Sequence, residues 1–401
     1  MIKHFLKDFK ERFIEGVLFL SSTTTSILVV LIVVYLFKEG VGIFNRTPVA
    51  EGSELLVSAA NKVNKLTADE VRKIFEQEFT KWNQVGGSDA EIELFRLDDI
   101  TNYYTDEQLG ENFENMPHCI DTILMQHPNM IAFVSKQYVL PNGRACKVSI
   151  DKIAVKQVML GNRWYPTASP VVELGIWPLL LGTIWVSIGA ILLALPFGLA
   201  AAIYMAEIAD SRIRKILKPL IELLAGIPSV VYGFFGLVVM VPIIQQTFNL
   251  DVGQSALAGS IILGIMALPT IITISEDAIR NTPRAMREAS LALGANHWQT
   301  IVRVVLPYSV SGITAAVILG IGRAIGETMA VLMVTGNAAV VPTSFLQPVR
   351  TIPATIAAEL GEAPFGGIHF QALFFLGCML FLLTFIINVI VEMLAPKKLK
   401  R

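Results

Sequence analysis

Residues 282–307 read TPRAMREASLALGANHWQTIVRVVLP, and the interpretation of the whole chain depends on this stretch. Thr282 followed by a proline is typical of a helix start, and Gly294 is typical of the left-handed residue that ends a helix. Asn296 can cap a second helix, which Pro307 is expected to end before an apolar span. We therefore predict two short amphipathic helices, set at a sharp angle, between two apolar segments of membrane length.

The composition of the chain excludes an ordinary soluble enzyme. Of the 401 residues, 53% are hydrophobic and 16% are charged, a balance that indicates a polytopic membrane protein. The net charge of −1 gives no indication of nucleic-acid binding. The three cysteines are too few for a disulfide scaffold, although Cys119 and Cys146 could either pair or remain free thiols in the one polar segment.

Six apolar stretches are long enough to cross a hydrocarbon core of about 30 Å. The predicted spans are residues 13–37, 174–206, 219–246, 254–276, 307–335 and 367–394, of which the last five form a membrane core over 174–394. Residues 1–12 are a basic N-terminal tail, and residues 38–170 are polar enough to be a folded domain. The predicted fold class is therefore an all-α polytopic membrane protein of six helices, with an α/β domain inserted between the first two.

Basic residues cluster in the short connections on one side of the predicted membrane. Four Lys or Arg residues lie in each of the N-terminal tail, the 207–218 connection, the 277–306 connection and the C-terminal tail. The other side has none at 247–253 and only Arg350 at 336–366. The positive-inside rule therefore predicts that both termini and the two short helices are cytoplasmic, and that the inserted domain lies outside.

The fifth predicted span contains two ionisable residues. Arg323 and Glu327 are four residues apart, which places them on one face of a continuous helix. Intramembrane charges are costly and usually face a cavity or each other. The guanidinium matches a tetrahedral oxyanion, and Glu327 could hold it in place or accept a hydrogen bond from a protonated oxyanion. The alternative is a bridge that satisfies itself and only fixes helix packing.

Small and hydroxyl side chains surround this pair. The small residues are Gly320, Gly322, Ala324, Gly326 and Ala330, which allow close helix packing or leave room for a solute. The hydroxyl side chains at comparable depth are Ser229, Tyr232, Thr270 and Thr328. Each hydroxyl could line a pathway, but bonding to its own helix is the expected role. Thr328, next to Glu327, is kept with the pair as a candidate pathway residue.

The two short helices resemble the EAA loop of ABC-transporter permeases. The family pattern is E-A-A, three residues, G, nine residues and I-x-L-P, and here it is matched by Glu288-Ala289-Ser290, Gly294 and VVLP at 304–307. Ser290 replaces the second alanine of the pattern, and Val304 replaces the isoleucine. The resemblance implies that Glu288, Ala289, Ser290 and Gly294 couple the chain to a separate ATPase. ATP and Mg would then be bound by that partner and no cofactor by this chain, which has no Walker motif and is expected not to be an enzyme.

Other segments look like the phosphate-specific Pst permeases, and more like the PstC-type subunit than its PstA-type partner. They are IPSVVYGFFGL (227–237), GIMALPTIITISEDAIRNTP (264–283), GRAIGETMAVLMVTGN (322–337) and QPVRTIPATIAAELGEA (347–363). The resemblance implies the fold of a type I ABC importer, with Arg323 and Glu327 on the phosphate path. It also implies three partners, namely an ATP-binding subunit dimer, a PstA-type permease and a periplasmic phosphate-binding protein.

The inserted segment is similar to one lobe of periplasmic phosphate-binding proteins over about residues 60–170. The predicted parts are a helix over 66–79, the turn WNQVGG at 82–87, a strand at Ile92 and Leu94, and strands at 130–140 and 152–160. The Ser-Gly-Thr turn that binds phosphate in that family is replaced here by RLDDIT at 96–101. We therefore expect a degenerate lobe that docks the binding protein or gates the entrance, or else a domain of unrelated purpose.

The sequence thus predicts a permease subunit of an ATP-driven phosphate importer in the bacterial inner membrane. Two alternatives stay open: a permease for sulfate, molybdate or tungstate, and a phosphate-sensing membrane scaffold. An intramembrane hydrolase is disfavoured because the chain has no Gly-x-Ser-x-Gly elbow. His118 and Cys119 have no partners at metal-ligand spacing, so no metal site is expected.

Overall fold

The computed structural model describes the backbone of residues 2–394 and the side chains of residues 13–393. The basic side chains of the two predicted tails lie outside this description: Lys3, Lys7, Lys10 and Arg12 at one end, and Lys397, Lys398, Lys400 and Arg401 at the other. The described part of the chain starts with one long helix, α1 (Ile2–Gly42), which includes residues 2–12 of the predicted tail and the predicted span 13–37. Its large apolar side chains from Phe13 onward are exposed, as expected of a helix that faces lipid.

Residues 46–176 form the inserted domain, which is an α/β unit. Its strands are β1 (Ser53–Val57), β2 (Lys65–Leu66), β3 (Glu93–Arg96), β4 (Met130–Ser135), β5 (Cys146–Lys147), β6 (Ser149–Ile150), β7 (Trp164–Tyr165) and β8 (Glu173–Leu174). Its helices are α2 (Ala68–Phe75), α3 (Asp106–Leu109), α4 (Met116–Gln126) and α5 (Val155–Leu160). The main sheet has the order β3-β4-β1-β5, with β3 parallel and β1 antiparallel to β4. Two small sheets pair β2 with β6 and β7 with β8.

Local sequence signals account for much of this domain. Thr67 caps α2, because its hydroxyl accepts from the Glu70 amide while the Glu70 carboxylate accepts from the Thr67 amide at 2.7 Å. Trp82 is 1% exposed and opens the predicted turn, which ends at Gly86 with φ +80°. The predicted strand at 152–160 is wrong, since α5 lies there. A short apolar run does not by its pattern distinguish a strand from a buried helix.

The membrane part follows the inserted domain. Its helices are α6 (Trp177–Ile203), α7 (Ser211–Gly226), α8 (Ser229–Phe235), α9 (Val241–Phe248), α10 (Ala256–Arg280), α11 (Arg284–Ala292), α12 (His297–Thr300), α13 (Leu306–Gly326), α14 (Met329–Val334), α15 (Ile352–Glu359) and α16 (Ile368–Leu394). In the described chain, six helical stretches are long and apolar enough to cross a membrane. They are Phe13–Asn45, Trp177–Ile208, Ser229–Phe248, Ala256–Arg280, His297–Gly326 and Ile368–Met393.

Several boundaries differ from the predicted spans. Residue 174, the first of the predicted second span, belongs to strand β8. The predicted third span 219–246 is divided, because Pro228 breaks the chain between the amphipathic α7 and the span that starts at Ser229. Pro307 does not end the second short helix, so the fifth span starts at His297 rather than at 307. A π-helical turn at Ile301–Val305 ends two residues before this proline, which occupies the first turn of α13, where a proline is tolerated.

The fifth span also ends earlier than the predicted residue 335. Helix α13 stops at Gly326, Glu327 is extended with φ −68° and ψ 133°, and α14 begins at Met329. We call residues 326–329 the break. Irregular backbone at membrane depth is tolerated only where protein surrounds it or where it lines a water-filled cavity. The break is therefore expected either to be surrounded by protein or to line a water-filled cavity.

The membrane part has two ends, a domain end next to the inserted domain and a loop end at the short helices α11 and α12. At the domain end, the Ala256 amide at the start of α10 donates to the Gln347 carbonyl at 3.0 Å. The Ile352 amide donates to the Thr183 hydroxyl of α6 at 2.9 Å. The connecting segment 347–352 thus holds the first turns of α10 and α6 together beneath the inserted domain. At the opposite, loop end lie the end of α10 and the short helices α11 and α12. Helix α10 is central and packs against α6 and α13.

Candidate functional site

The first short helix of the loop end is not covered by the rest of the chain. No residue of α11 is buried, and Glu288 and Ala289 are exposed. Gly294 has φ +84°, which confirms the predicted left-handed helix end. The predicted cap at Thr282 is wrong, because its side chain is 2% exposed and Pro283 occupies the position before α11. Packing against the membrane part, rather than capping, determines the position of this threonine.

The second short helix has one covered and one uncovered face. The Asn296 side chain accepts from the Gln299 amide at 2.8 Å, which confirms its predicted capping role. Ile301 and Val305 are 1% and 0% exposed, whereas Trp298 is 60% exposed. With Leu293 of the preceding turn at 89% exposure, these residues form an uncovered apolar surface. Such a surface is typical of a protein-protein contact.

An ion pair fastens the short helices to the end of α6. The Arg287 guanidinium lies 2.7 Å from the Glu207 carboxylate, and it also donates to the Ile279 carbonyl at 3.0 Å. The Ser290 and Thr300 hydroxyls are 3.0 Å apart and join α11 to α12. Our sequence reasoning missed Glu207, although a lone carboxylate just after an apolar span was a visible signal. Its side chain is 6% exposed, so removing Arg287 would leave an uncompensated charge at a cost of about 3 kcal/mol or more.

The membrane part places Arg323 near the middle of the central helix. Its Nη1 donates to the Thr270 hydroxyl at 3.3 Å. Thr270 is the fifteenth residue of the 25-residue α10, roughly 21 Å from the start of that helix at 1.5 Å per residue. A guanidinium carries five donors, and Thr270 is its only hydrogen-bond partner in the described residues. The remaining donors are available to a solute or to a partner subunit.

The small residues of α13 divide between packing and open space. A Cβ atom on Gly320 would meet Ile271 of α10 at 2.9 Å, so this glycine permits close helix packing. Gly322 and Gly326 have no heavy atom within 4 Å of an added Cβ. These two lie four residues apart on the face of α13 that runs beside Arg323. The open space therefore borders the charged side chain.

The predicted arrangement of Arg323 and Glu327 on one helical face is wrong. Glu327 lies beyond the end of α13, and its carboxylate accepts from the Ala330 amide of α14 at 3.4 Å. The Thr328 hydroxyl bonds to the Gly326 carbonyl at 3.2 Å, as expected of a local backbone contact. Thr270, for which the same local role was expected, instead contacts the guanidinium. The break is a feature that no spacing rule foresees, and in the described residues no ion pair joins Arg323 to Glu327.

The inserted domain offers a further polar cavity of about 310 Å³ at the end of β3 and β4. Arg96, Asp98 and Ser135 line it, and Asp99 accepts from the Arg96 amide at 2.7 Å. Cys119 is buried, Cys146 is exposed, and both are free thiols, so they do not form the disulfide considered above. No group of three His, Cys, Asp or Glu side chains in the described residues could hold a metal ion.

Six apolar helices, an uncovered pair of short helices and a charged residue beside a break define a multi-pass membrane protein of the solute-transport class. The chain belongs to the family described as binding-protein-dependent transport system inner membrane component, whose family model matches residues 194–400. Residues 40–176 match the model of the PBP superfamily domain. The chain is therefore a permease-type subunit with a binding-protein-like domain inserted after its first helix.

The matches with individual relatives extend over most of each relative's own length. The probable ABC transporter permease protein YqgH of Bacillus subtilis is 42% identical over 62% of this chain and 80% of its own. The phosphate transport system permease protein PstC of Mesorhizobium japonicum is 38% identical over 55% of this chain and 73% of its own. Among solved structures, a chain of the inward-facing MetNI methionine ABC transporter is 20% identical, with a TM-score of 0.41, over 55% of this chain and 95% of its own.

Proposed function

We propose that this chain is a permease subunit of an ATP-driven importer of inorganic phosphate. The observation that carries the proposal is the similarity to relatives named as phosphate transport system permeases, which reaches 38% identity over most of the relative's length. The binding-protein-like inserted domain and the free donors of Arg323 agree with an oxyanion as cargo. The chain itself would not hydrolyse ATP.

Phosphate recognition would depend on Arg323. Its planar fork can bind two oxygens of a tetrahedral anion, while Thr270 holds the guanidinium from α10. Glu327 lies in the break and could accept a hydrogen bond from the hydroxyl of a monohydrogen phosphate, a donor that sulfate lacks at neutral pH. In this state its carboxylate accepts from Ala330, so it would have to turn toward the open space beside Gly326. Thr328 borders the same break and remains a candidate pathway residue.

Three partners would complete the importer. The uncovered surface around Leu293 and Trp298, together with Glu288, Ala289, Ser290 and Gly294, would dock an ATP-binding subunit dimer on the cytoplasmic side. A second, PstA-type permease would close the pathway along the open face of α13. A periplasmic phosphate-binding protein would deliver cargo at the domain end. ATP-driven closure of the ATPase would move the short helices and, through the Arg287–Glu207 pair, the spans as rigid bodies.

The test is uptake of radiolabelled phosphate by the reconstituted complex, with and without Arg323→Gln. We expect ATP-dependent uptake by the wild type and a loss of at least about tenfold in the variant, because a charge-assisted contact is removed. Arg323→Lys, which keeps the charge but not the fork, should retain an intermediate rate. Arg212→Gln, on the exposed start of α7, is the matched control and should transport normally.

Three results would contradict parts of this proposal. Normal uptake by an assembled Arg323→Gln complex would show that this residue does not act on the phosphate path. If the wild-type complex took up labelled sulfate, molybdate or tungstate but not labelled phosphate, the permease assignment would stand and the cargo would be another oxyanion. ATP-independent or absent transport of every oxyanion would favour the sensing scaffold.

A further inference from the structure

One carboxylate, Glu359, contacts both the inserted domain and the membrane part at the domain end. Glu359, the last residue of α15, lies 2.7 Å from the Arg350 guanidinium and 2.9 Å from Nε2 of His369 at the start of α16. Its two oxygens also accept from the indole N–H of Trp164 in β7, at 3.0 and 3.2 Å. We call these four side chains the junction. It brings together a strand of the inserted domain, a connecting segment and two helices of the membrane part.

The junction is largely shielded from solvent. The side chains of Glu359, Arg350 and His369 are 15%, 18% and 10% exposed. Trp164 is 1% exposed and belongs to an apolar cluster that also contains Val158 of the inserted domain and Leu376 of α16. Polar groups this well shielded gain strength from the low local dielectric and are costly to leave unpaired. The junction therefore holds its elements in a defined position rather than acting as a loose surface contact.

Helix α15 also borders the break in the fifth span. A cavity of about 520 Å³ lies between Ile356 and Leu360 on the α15 side and Gly326 and Thr328 on the other. Helix α15 packs against α14, the short helix that follows the break. One short helix thus contacts the inserted domain through its last residue and borders the break along its side.

The other polar contacts of the inserted domain reach different elements. Arg46 donates to Gln371 and to the Gly366 carbonyl, and Glu51 accepts from the Ile368 amide, so these two residues hold α16. In residues 13–393, the bonds from Trp164 to Glu359 are the only side-chain hydrogen bonds between the inserted domain and α15. A displacement of the domain would therefore reach α15 through this bond and through the apolar cluster that joins Trp164 to Ile352.

We propose that Glu359 is a positioning residue through which the inserted domain controls α15 and, across the cavity, the break beside Arg323. This inference rests on the proposed transport function and gives the inserted domain a role in it. Docking of a binding protein on the inserted domain would shift Trp164, and α15 would follow because its terminal carboxylate is held by the indole. The break borders the cavity along α15, so its backbone changes with the position of that helix.

Hydrogen exchange of the purified full-length complex tests the proposal, because it reads the break directly and needs no substrate. Wild type is compared with Glu359→Gln, which keeps the size of the side chain but removes its charge. We expect amides of residues 326–334 and 352–361 to exchange about tenfold faster, as follows from weakening charge-assisted hydrogen bonds. Glu362→Gln, three residues further on and exposed, is the matched control and should exchange like wild type.

A second variant isolates the link to the inserted domain. Trp164→Phe removes the indole donor and leaves the contacts of Glu359 with Arg350 and His369 in place. We expect exchange at 326–334 to rise about threefold. Faster exchange confined to 352–361 in Glu359→Gln, or unchanged exchange at 326–334 in Trp164→Phe, would overturn the proposal. If Glu359→Gln raises exchange throughout the chain, the Trp164→Phe result decides.

Phosphate uptake by the same preparations separates this proposal from the transport assignment. Wild-type uptake of phosphate together with unchanged exchange at the break in both variants would refute the junction and leave the phosphate assignment intact. If exchange at the break is faster in both variants than in wild type, but the wild-type complex carries no phosphate, the role of the junction is supported and the assignment of phosphate as the cargo is refuted. For Glu359→Gln we expect faster exchange at residues 326–334 together with a reduced maximal rate of phosphate uptake.

Discussion

At the scale of single residues, the two proposals depend on two charged side chains, Arg323 in the fifth span and Glu359 at the end of α15. Arg323 stands out because an intramembrane arginine is costly, and the sequence is sufficient to single it out. Its predicted neighbour on the same helical face, Glu327, lies beyond the helix end, and its actual partner Thr270 is 53 residues away. Glu359 is a carboxylate in a connection with few charges, yet nothing in its spacing indicates Trp164 as a partner.

Burial and bonding shift the pKa of Glu359, and this leads to a prediction about pH. Burial alone would raise the pKa, but hydrogen bonds from His369 and Trp164 and the charge of Arg350 outweigh burial and hold the pKa below its ordinary value of 4.5. A carboxyl with a lowered pKa stabilises the folded state above its unfolded pKa. That contribution is lost as pH falls through the folded pKa.

We therefore expect acid to loosen the junction, below about pH 4.5 and not above it. Thermal unfolding of the wild-type chain should shift to lower temperature as pH falls through this range. In Glu359→Gln the unfolding temperature should be lower at neutral pH and should fall less steeply in acid, because no proton can be taken up at this position. Parallel pH profiles for the two chains would contradict the predicted role of this carboxylate in stability.

At the scale of elements, Gly294 and Asn296 mark a helix end and a helix cap as their residue types indicate, whereas two prolines have opposite effects on the helices around them. Gly294 ends α11 and Asn296 caps α12. Pro228 separates α7 from α8, but Pro307 occupies the first turn of α13, where a proline is tolerated, and the helix continues. A proline removes one amide donor in every context, and only the surrounding helix determines whether its ring also forces a stop.

Gly294→Ala tests whether the turn between the short helices depends on backbone conformation. Its φ of +84° is unfavourable for a residue with a Cβ, and an added Cβ would contact nothing within 4 Å. We expect a loss of about 1 kcal/mol in local stability, seen as about fivefold faster hydrogen exchange at residues 284–300. Gly226→Ala, where φ is ordinary and space is also open, is the control and should not change exchange in that segment. Unchanged exchange in Gly294→Ala would mean that the turn does not require glycine.

At the scale of the whole molecule, alternating spans predict that the inserted domain lies outside and the short helices lie in the cytoplasm. The helix bounds are compatible with six crossings, and the basic connections favour this orientation. Chemical labelling of the natural cysteines can test this orientation. Cys146 in the inserted domain is exposed, whereas Cys119 and Cys378 are buried, and burial raises the pKa of the Cys119 thiol. A thiol with a raised pKa has less of the reactive thiolate at neutral pH.

A membrane-impermeant maleimide added to intact spheroplasts should therefore label one site. The label should disappear in Cys146→Ser and persist in Cys119→Ser. Labelling of Cys146 only after the membrane is opened would reverse the predicted orientation and place the short helices outside. Because both serine variants are conservative, their folding can be checked by the same exchange measurement as above.

The sequence by itself determined the features that depend on composition and on neighbours along the chain. These are the six apolar stretches, the polar inserted domain, the turn at Gly294, the cap at Asn296 and the presence of a charge at Arg323. Hydropathy and local capping act over a few residues, so their signals can be read without coordinates. The helix–strand ambiguity at 152–160 marks the limit of this local reading.

Only the tertiary structure decided which distant groups meet. It also revealed the break after Gly326. Three contacts join segments that are distant along the chain: Arg323 with Thr270, Arg287 with Glu207, and Glu359 with the other residues of the junction. A buried charge can be satisfied by any suitable partner in the fold, and its choice depends on which helices pack against each other. That information resides in the packing of the whole chain and not in the spacing of the residues.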